Sequence, residues 1–306
     1  MAAPSFRTEF DPRHGEAVPL GHGVHRITAN NPSPFTFHGT NSYIVEGASA
    51  GGALAVVDPG PDRDAHYDAL MRAVDGRPVS HILVTHTHVD HSPLAARLKR
   101  ETGAVTVAEG PHRPARPLHG GEINALDASA DADFRPDIAV SDGDVVEGDG
   151  WALTAVLTPG HTANHAAFAL RGTDVMFSGD HVMAWSTSIV APPDGAMRDY
   201  MASLDRIARE PQSLYLPGHG GELPNAHAFV RALRTHRRMR ERDVLAQVEA
   251  GRDTIPAMVA VIYATTDPRL HGAAGLSVLA HLEDLVERGA VRTDGPPRLD
   301  GRYRPA

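Results

Sequence analysis

One pattern recurs along the chain up to about residue 220: a short apolar run, a Gly or Pro that ends it, and an Asp or His beside the break. It occurs at Asp58-Pro59-Gly60, Thr158-Pro159-Gly160-His161, Ser178-Gly179-Asp180 and Pro217-Gly218-His219. Short apolar runs of this kind are typical of buried strands, and Gly and Pro end regular structure. We therefore expect a fold in which several strand ends carry their carboxylates and imidazoles to one rim.

The remaining hydrophobic pattern up to residue 224 alternates between period-two and helical spacing, which predicts an α/β fold. Strands are predicted over 42–46, 53–57, 82–85, 105–108, 153–157, 166–170, 175–177 and 214–216. Helices are predicted over 64–74, 93–101 and 197–209. The catalytic part of the chain should lie in this region.

The densest cluster of polar donors is the run Thr85-His86-Thr87-His88-Val89-Asp90-His91, which follows an apolar strand and precedes a predicted helix. The chain has 19 histidines and no cysteine, so any metal must be held by nitrogen and oxygen. Imidazole and carboxylate suit zinc, and three protein ligands with an open water position are typical of a catalytic site. The strand-end residues His161, Asp180 and His219 are candidates for a second set of ligands.

These residues resemble the pattern of the metallo-β-lactamase superfamily: His-x-His-x-Asp-His, a distant His after Thr-Pro-Gly, an Asp after Ser-Gly and a final Gly-His. All four elements are present in that order. Segments 31–43, 57–60 and 199–204 are also similar to the lactamase-like group known as β-lactamase-like protein 2, which includes a single-strand endoribonuclease. The resemblance implies an αβ/βα sandwich with its site at the edge.

The resemblance also implies a two-metal site. It assigns one metal to His86, His88 and His161, the other to Asp90, His91 and His219, and a bridging position to Asp180. Zinc at two ions per chain is the expected metal, with manganese and iron as alternatives. Asp90, His91 and Asp180 are the candidate catalytic residues. Asp58 is expected to hold a ligand histidine or the motif loop, or else to accept hydrogen bonds from turn amides.

Beyond Pro224 the pattern becomes helical, with predicted helices over 225–250, 255–263 and 275–288 and then a short hairpin. This order predicts a small helical, winged-helix-like domain over 225–306, after a catalytic domain over 1–224. The third helix is acidic on its polar side and would meet DNA phosphates poorly. We expect it to pack against the rest of the protein or to form a homodimer.

Charge and hydropathy limit the partners. The net charge is −9, so extended nucleic-acid binding is not favoured, and the arginines between 231 and 242 are interpreted as a solvated helix face or a local phosphate contact. No run reaches the roughly 18 apolar residues of a membrane helix, and residues 1–11 lack the features of a signal peptide. We expect a soluble cytoplasmic protein without membrane partners.

Other residues have two interpretations each. The Pro- and Gly-rich stretch 110–149 is a candidate lid, whose His112, Arg113, Arg116 and His119 could face substrate or solvent. His165 and His181 are candidate proton carriers or residues behind the ligands. By likeness to the group, Thr40, Asn41, Trp185 and Tyr200 could line the substrate mouth, or the aromatic residues could belong to the core.

The function that these patterns favour is a dinuclear zinc hydrolase with a metal-bridging hydroxide as its nucleophile. Its substrate would be a small ester-type molecule or a short phosphodiester; the alternatives are a thioester or lactone hydrolase of the glyoxalase II type and a single-strand endoribonuclease. An iron-dependent redox enzyme and a non-catalytic binding module are the remaining classes. The presence of both His91 and Asp180, without cysteine, argues against a dedicated β-lactamase.

Overall fold

Two β-sheets and their covering helices form the main body of the protein. A computed structural model describes residues 4–47, 51–122, 124 and 127–306. Positions 1–3 of the N-terminal prediction, and positions 123 and 125–126 of the 110–149 stretch, lie outside the described residues. The two sheets face each other and helices lie on both outer faces, so the predicted αβ/βα sandwich is confirmed.

The first sheet carries the motif loop at the end of a middle strand. Its strands, in spatial order, are β1 Val18–Gly21, β2 Val24–Thr28, β3 Asn41–Val45, β4 Leu54–Val57, β5 Val79–Leu83, β6 Val105–Ala108 and β7 Ile138–Ala139. Neighbours are antiparallel up to β4 and parallel from β4 onward. In β3, Tyr43 and Val45 face the second sheet while Ile44 faces the helices, which explains why residues 43–45 are all apolar.

The second sheet brings three ligand-bearing strand ends to one edge. Its spatial order is β13 Leu223–Pro224, β12 Leu214–Pro217, β11 Val175–Gly179, β10 Ala166–Leu170, β9 Ala152–Leu157 and β8 Val145–Glu147. Strands β9 and β11 are both antiparallel to β10, and β12 is parallel to β11. The carboxyl ends of β9, β11 and β12 therefore point the same way.

Helices cover the sandwich and form the C-terminal part. They are α1 Asp64–Val74, α2 Leu94–Thr102, α3 Met197–Ile207, α4 Ala226–Glu249, α5 Ile255–Ile262 and α6 His271–Glu287. Helices α1 and α2 pack on the first sheet, and α3 and the start of α4 pack on the second. Within the described ranges, no helix has both the length and the apolar character needed to cross a bilayer.

The C-terminal part consists of α5, α6 and the hairpin β14 Val291–Thr293 with β15 Tyr303–Pro305, around a separate apolar core. Helix α4 belongs to both regions, because Phe229 and Leu233 pack on the sandwich while Val244 and Val248 lie in the C-terminal core. The division into 1–224 and 225–306 stays a prediction, with α4 as the shared element.

The acidic face of α6 contacts the catalytic part. Glu283 pairs with Arg116 at 2.6 Å, and Glu287 pairs with Arg198. The acidic side that made DNA binding a poor prediction is thus a packing surface. The homodimer alternative stays a prediction.

The described part of the 110–149 stretch is attached to the motif loop. The amide of Val89 donates to Ser129 O at 2.9 Å, the amide of Asp131 donates to Thr87 O at 2.8 Å, and Ser92 Oγ donates to Asp131 Oδ2 at 2.6 Å. These bonds favour a fixed wall over a mobile lid.

Candidate metal centre

Four strand ends deliver the candidate ligands to one edge of the sandwich. The motif loop follows β5, His161 follows β9, Asp180 follows β11 directly, and His219 follows β12. The two sheets are joined there by Asn41, whose amide donates to Gly218 O at 2.8 Å and whose side chain donates to Pro217 O and Gly220 O. The edge is therefore held by backbone contacts from both sheets.

Three histidines converge in the first half of the site. Nδ1 of His88 lies 3.0 Å from Nε2 of His86 and 3.1 Å from Nε2 of His161. These atoms belong to a group of potential ligand atoms that lie within 4.8 Å of one another. Three ring nitrogens at this spacing cannot all be satisfied by one another, because one N–H serves one acceptor.

Two carboxylates and two histidines form the other half. Nε2 of His219 lies 3.2 Å from Asp90 Oδ2 and 3.4 Å from Asp180 Oδ2, and Nε2 of His91 lies 3.6 Å from each carboxylate. Asp180 Oδ2 is also 3.7 Å from Nε2 of His161. Asp180 therefore lies between the two halves.

Hydrogen bonds on the far side of three rings fix their tautomers. They are His91 Nδ1 to Asp58 Oδ2 at 2.9 Å, His161 Nδ1 to Ile189 O at 2.6 Å, and His219 Nδ1 to Gly39 O at 3.1 Å. Because a carbonyl or carboxylate oxygen only accepts, each Nδ1 carries a proton, and Nε2 is the nitrogen that each ring turns toward the site. Such outer partners are typical of metal-binding histidines.

The two halves differ in charge. Burial lowers the pKa of His88 to about 3, with neighbouring His161 acting in the same direction, and burial likewise lowers the pKa of His86. Burial also opposes protonation of His91, but Asp90, Asp180 and Asp58 outweigh it and raise its pKa to about 9. The first half is thus a set of neutral imidazoles, while the second has carboxylates that attract positive charge.

This donor set fits divalent metal. Two nitrogens bound to one tetrahedral zinc at its usual bond length are about 3.3 Å apart, close to the spacing of the three histidines. Among the described residues, His91 Nε2 and Asp180 Oδ1 are buried without a hydrogen-bond partner. Unpaired buried polar atoms are costly, and a cation between them would satisfy them. All seven predicted ligands therefore lie in one constellation that suits metal.

Glycines next to the ligands are required by close approach. A Cβ on Gly218 would lie 2.5 Å from both Asp180 Oδ1 and His91 Cε1. Gly179 has a φ of 48°, and a Cβ there would lie 2.6 Å from Nε2 of His165. The Gly before His219 thus makes room for the candidate ligands, and the Gly before Asp180 makes room for His165 behind them.

Asp58 has both of the roles that the sequence suggested. Its Oδ2 accepts from His91 Nδ1 and from Thr85 Oγ1, and its Oδ1 accepts from the Thr85 amide at 2.7 Å. His165 supports another ligand, since its Nε2 accepts from the Asp180 amide at 3.2 Å and its Nδ1 donates to Thr158 Oγ1. His165 is fully buried and holds backbone, which argues against a role as a proton carrier.

A largely apolar cleft of about 370 Å³ opens above the ligands. It is lined by the ligands His88, Asp90, His161, Asp180 and His219, by the apolar residues Pro34, Phe35, Val89, Met183, Trp185, Ile189, Ala273 and Leu276, and by the hydroxyl-bearing residues Ser33, Thr36, Ser129, Ser186 and Thr187. None of these described lining residues is Arg or Lys. No sequence signal indicated that the backbone oxygen of Ile189 would hold His161. None indicated that Leu276 of α6 would line the cleft.

The structure decides between the interpretations that the sequence left open for the surrounding residues. Of the four residues proposed for the substrate mouth, Trp185 lines the cleft, while Tyr200 is fully buried and donates to His181 O. Thr40 and Asn41 are buried and hold the His219 turn. The four basic residues between 112 and 119 are not among the cleft residues.

The arginines between 231 and 242 do not form a uniform solvated face. Arg237 is buried, donates to Ser188 O and lies over the ring of Tyr200. The error arose because sequence spacing does not show which side of a long helix is covered by another region.

An αβ/βα sandwich with histidines and aspartates converging at its edge is typical of the metallo-β-lactamase fold. A family model described as the Metallo-beta-lactamase superfamily matches residues 35–219, and the chain belongs to this superfamily. A second model, the Beta-lactamase associated winged helix domain, matches residues 254–298. The protein is therefore a hydrolase of this superfamily with a C-terminal winged-helix domain, as the sequence predicted.

Curated relatives are similar over most of the chain. A β-lactamase-like protein 2 homolog from Caenorhabditis elegans is 28% identical over 276 residues, which are 89% of this chain and 87% of the relative. An atrochrysone carboxyl ACP thioesterase from Aspergillus fumigatus is 30% identical over 234 residues, 74% of this chain and 65% of the relative. The similarity to the group expected from the sequence is confirmed.

Solved structures have the same architecture. A metallo-β-lactamase family protein from Thermus thermophilus is 26% identical with a TM-score of 0.74, covering 94% of this chain and 100% of that one. A β-lactamase domain protein from Burkholderia ambifaria has a TM-score of 0.79 at 23% identity, covering 97% and 96%. At 23% identity, the similarity to the Burkholderia ambifaria protein concerns the fold alone.

Proposed function

We propose that the protein is a dinuclear zinc hydrolase that cleaves an ester-type acyl bond, and that its substrate is a thioester. The observation that carries the two-metal proposal is the position of Asp180 between the three-histidine half and the half formed by Asp90, His91 and His219. A carboxylate with one oxygen near histidines of both halves is suited to bridge two ions.

The chemistry of the proposal depends on the metal and on the groups that surround it. Two bound zinc ions would activate a water molecule as nucleophile and stabilise negative charge on the oxygen of the attacked carbonyl. His86, His88 and His161 would hold one ion, and Asp90, His91 and His219 the other, with Asp180 shared between them. This assignment uses the tautomers that Asp58, Ile189 and Gly39 impose.

Asp90 is the proposed orienting carboxylate. It is the most exposed of the seven candidate ligands, and it lines the cleft. Thr40 Oγ1 donates to its Oδ2 at 3.4 Å, and this oxygen also faces His219. These contacts hold the carboxylate in place, so that it can accept a hydrogen bond from a water molecule at the floor of the cleft.

The cleft supports an acyl substrate over a phosphodiester. Phosphate groups are bound in proteins mainly by Lys, Arg and backbone amides, and the described cleft lining has neither Lys nor Arg. A neutral thioester with an apolar acyl group suits this lining better. Two similar proteins, from Aspergillus fumigatus and Emericella nidulans, are named as thioesterases.

The experiment is metal depletion and reloading, followed by a substrate panel. We expect the metal-free protein to regain hydrolysis of a thioester when two zinc ions per chain are restored, with slower turnover of a lactone, bis-p-nitrophenyl phosphate and single-stranded RNA. Asp180→Asn should lose most of the activity and about one zinc per chain, whereas Asp68→Asn, on the exposed face of α1, should behave as the unmodified protein. Preferential cleavage of RNA, or full activity of Asp180→Asn, would contradict the proposal.

A further inference from the structure

Helix α6 of the winged-helix part contributes one wall of the metal cleft. Ala273 and Leu276 are three positions apart, so they lie on one face of the helix, and both line the same cavity as His88 and Asp180. The cavity is therefore built from two regions of the chain. Its shape depends on how the C-terminal part packs on the sandwich.

Leu276 lines the cleft and does not belong to the C-terminal core. Its neighbours Val278, Leu279 and Leu282 belong to that core, whereas Leu276 is not among the described residues that form it. Leu276 is nevertheless only 8% exposed. An apolar side chain that is shielded without joining the core is available to contact a ligand in the cavity.

Other residues of the cleft lining expose apolar surface. Phe35 is 52% exposed and Val89 is 41% exposed, although both are large hydrophobic residues. Trp185 lies nearby, stacked on Phe37 with ring centres 4.7 Å apart and planes 10° apart. Exposed apolar surface around a cavity is typical of a binding site, because a ligand can cover it.

The α6 wall is fixed in place. Ala280, one turn beyond Leu276, packs in the outer core of the second sheet, and Glu283 pairs with Arg116 at 2.6 Å. Apolar packing and an ion pair thus hold this helix against the catalytic part. A wall of this kind can select between ligands by size, since it cannot move aside without breaking these contacts.

We infer that α6 and the facing loops form an acyl-binding site, and that Ala273 and Leu276 determine which acyl group the enzyme accepts. The occupant is the bulky apolar acyl part of a thioester, with its carbonyl above the ligands and its hydrocarbon between α6 and the side of Phe35 and Val89. The inference rests on the proposed function for the bond that is cleaved. It gives the winged-helix part a role in substrate selection.

The test compares acyl lengths on variants of the zinc-loaded protein. For acetyl, hexanoyl and decanoyl thioesters of N-acetylcysteamine, kcat/KM should rise with length. Ala273→Phe fills the cavity and should lower kcat/KM for the decanoyl substrate by about tenfold while changing the acetyl value by less than about twofold. Leu276→Ser removes apolar contact and should also lower the decanoyl value by about tenfold. Val261→Phe, at a 46% exposed position of α5 outside the cleft, is the matched control and should change neither value.

A binding measurement separates the acyl site from the proposed reaction. The decyl thioether of N-acetylcysteamine lacks the thioester carbonyl that would be attacked. Calorimetry therefore reports its binding to the zinc-loaded protein without turnover. Weaker binding to Ala273→Phe and Leu276→Ser than to Val261→Phe supports the acyl site even if no thioester is hydrolysed, in which case the proposed function alone fails. Equal binding by all three variants, together with a length preference that neither α6 change alters, would overturn the inference.

Discussion

The Nδ1 atom of His161 lies 2.6 Å from the backbone oxygen of Ile189, and the residue before Ile189 is held by a distant helix. Ser188 accepts, through its backbone oxygen, a hydrogen bond from the buried guanidinium of Arg237 on α4. The guanidinium also lies 5.0 Å from the ring centre of Tyr200. The orientation of a proposed zinc ligand is thus connected to the helix that joins the two regions of the chain.

Replacing Arg237 tests this connection. Arg237→Met keeps an apolar stem but leaves Ser188 O without its donor, so we expect the free energy of unfolding to fall by about 1–3 kcal/mol. Because the Ile189 carbonyl would also shift, zinc affinity should fall by about tenfold or more, measured by competition with a chelator. Arg238→Met, at the exposed neighbouring position, is the control. A loss of stability with unchanged zinc affinity would show that Arg237 does not position His161.

Gly218→Ala is expected to disturb the metal centre without a change in charge. The added methyl would lie 2.5 Å from Asp180 Oδ1 and from His91 Cε1, and both neighbours are fixed. We expect less than one zinc per chain to remain after dialysis and thioester activity to fall at least tenfold. The control is Gly120→Ala, where a Cβ would have open space. Full metal content in Gly218→Ala would mean that the ligands tolerate displacement.

Asp58→Asn is expected to weaken zinc binding in one half of the site only. The amide has one accepting oxygen in place of two, so it cannot accept both from His91 Nδ1 and from the Thr85 backbone amide, and the His91 ring is held less firmly. We expect zinc affinity in the half that contains His91 to fall about 10–100-fold, while the three-histidine half keeps its ion. Calorimetric zinc titration should then show one tight and one weakened site. Asp62→Asn, at an exposed position, should retain two tight sites.

Zinc binding should depend on pH through His91. Burial lowers its pKa, but Asp90, Asp180 and Asp58 raise it further, to about 9 in the metal-free protein. Below this pH the His91 ring carries a proton that zinc must displace. Burial also opposes protonation of His219, the other histidine of this half, but Asp180 and Asp90 raise its pKa. The apparent affinity of this half should therefore fall by between about tenfold and about a hundredfold per pH unit from 9 to 7. Titrations at pH 7, 8 and 9 measure the slope. An affinity that does not change with pH would show that His91 does not ligate zinc.

The convergence of the candidate ligands could be predicted because local sequence marked them and the resemblance grouped them into one site. Four of the candidates lie in the motif loop that follows β5, and His161, Asp180 and His219 lie at or near strand ends beside a Gly or Pro. The strand predictions at 105–108 and 166–170 agree with β6 and β10, and the helix prediction at 64–74 agrees with α1. Strands β1, β2, β7, β8 and β13 were missed. All except β2 are short and partly exposed, so their hydrophobic pattern is weak, whereas β2 is mostly buried.

The surroundings of the site could not be predicted because they depend on long-range packing. The carbonyls of Ile189 and Gly39 orient histidines through backbone atoms, which every residue type possesses. Leu276 has the spacing of a core residue, and only the packing of α6 on the sandwich places it beside the cleft. Arg237 was grouped with exposed arginines for the same reason.

The most direct test of the two-metal proposal is an anomalous difference map, measured at the zinc absorption edge from crystals of the zinc-loaded protein. We predict two peaks per chain about 3.5–4 Å apart, one beside His88 and one beside His219, with Asp180 between them. A single peak, or two peaks with Asp180 contacting neither ion, would contradict the proposal.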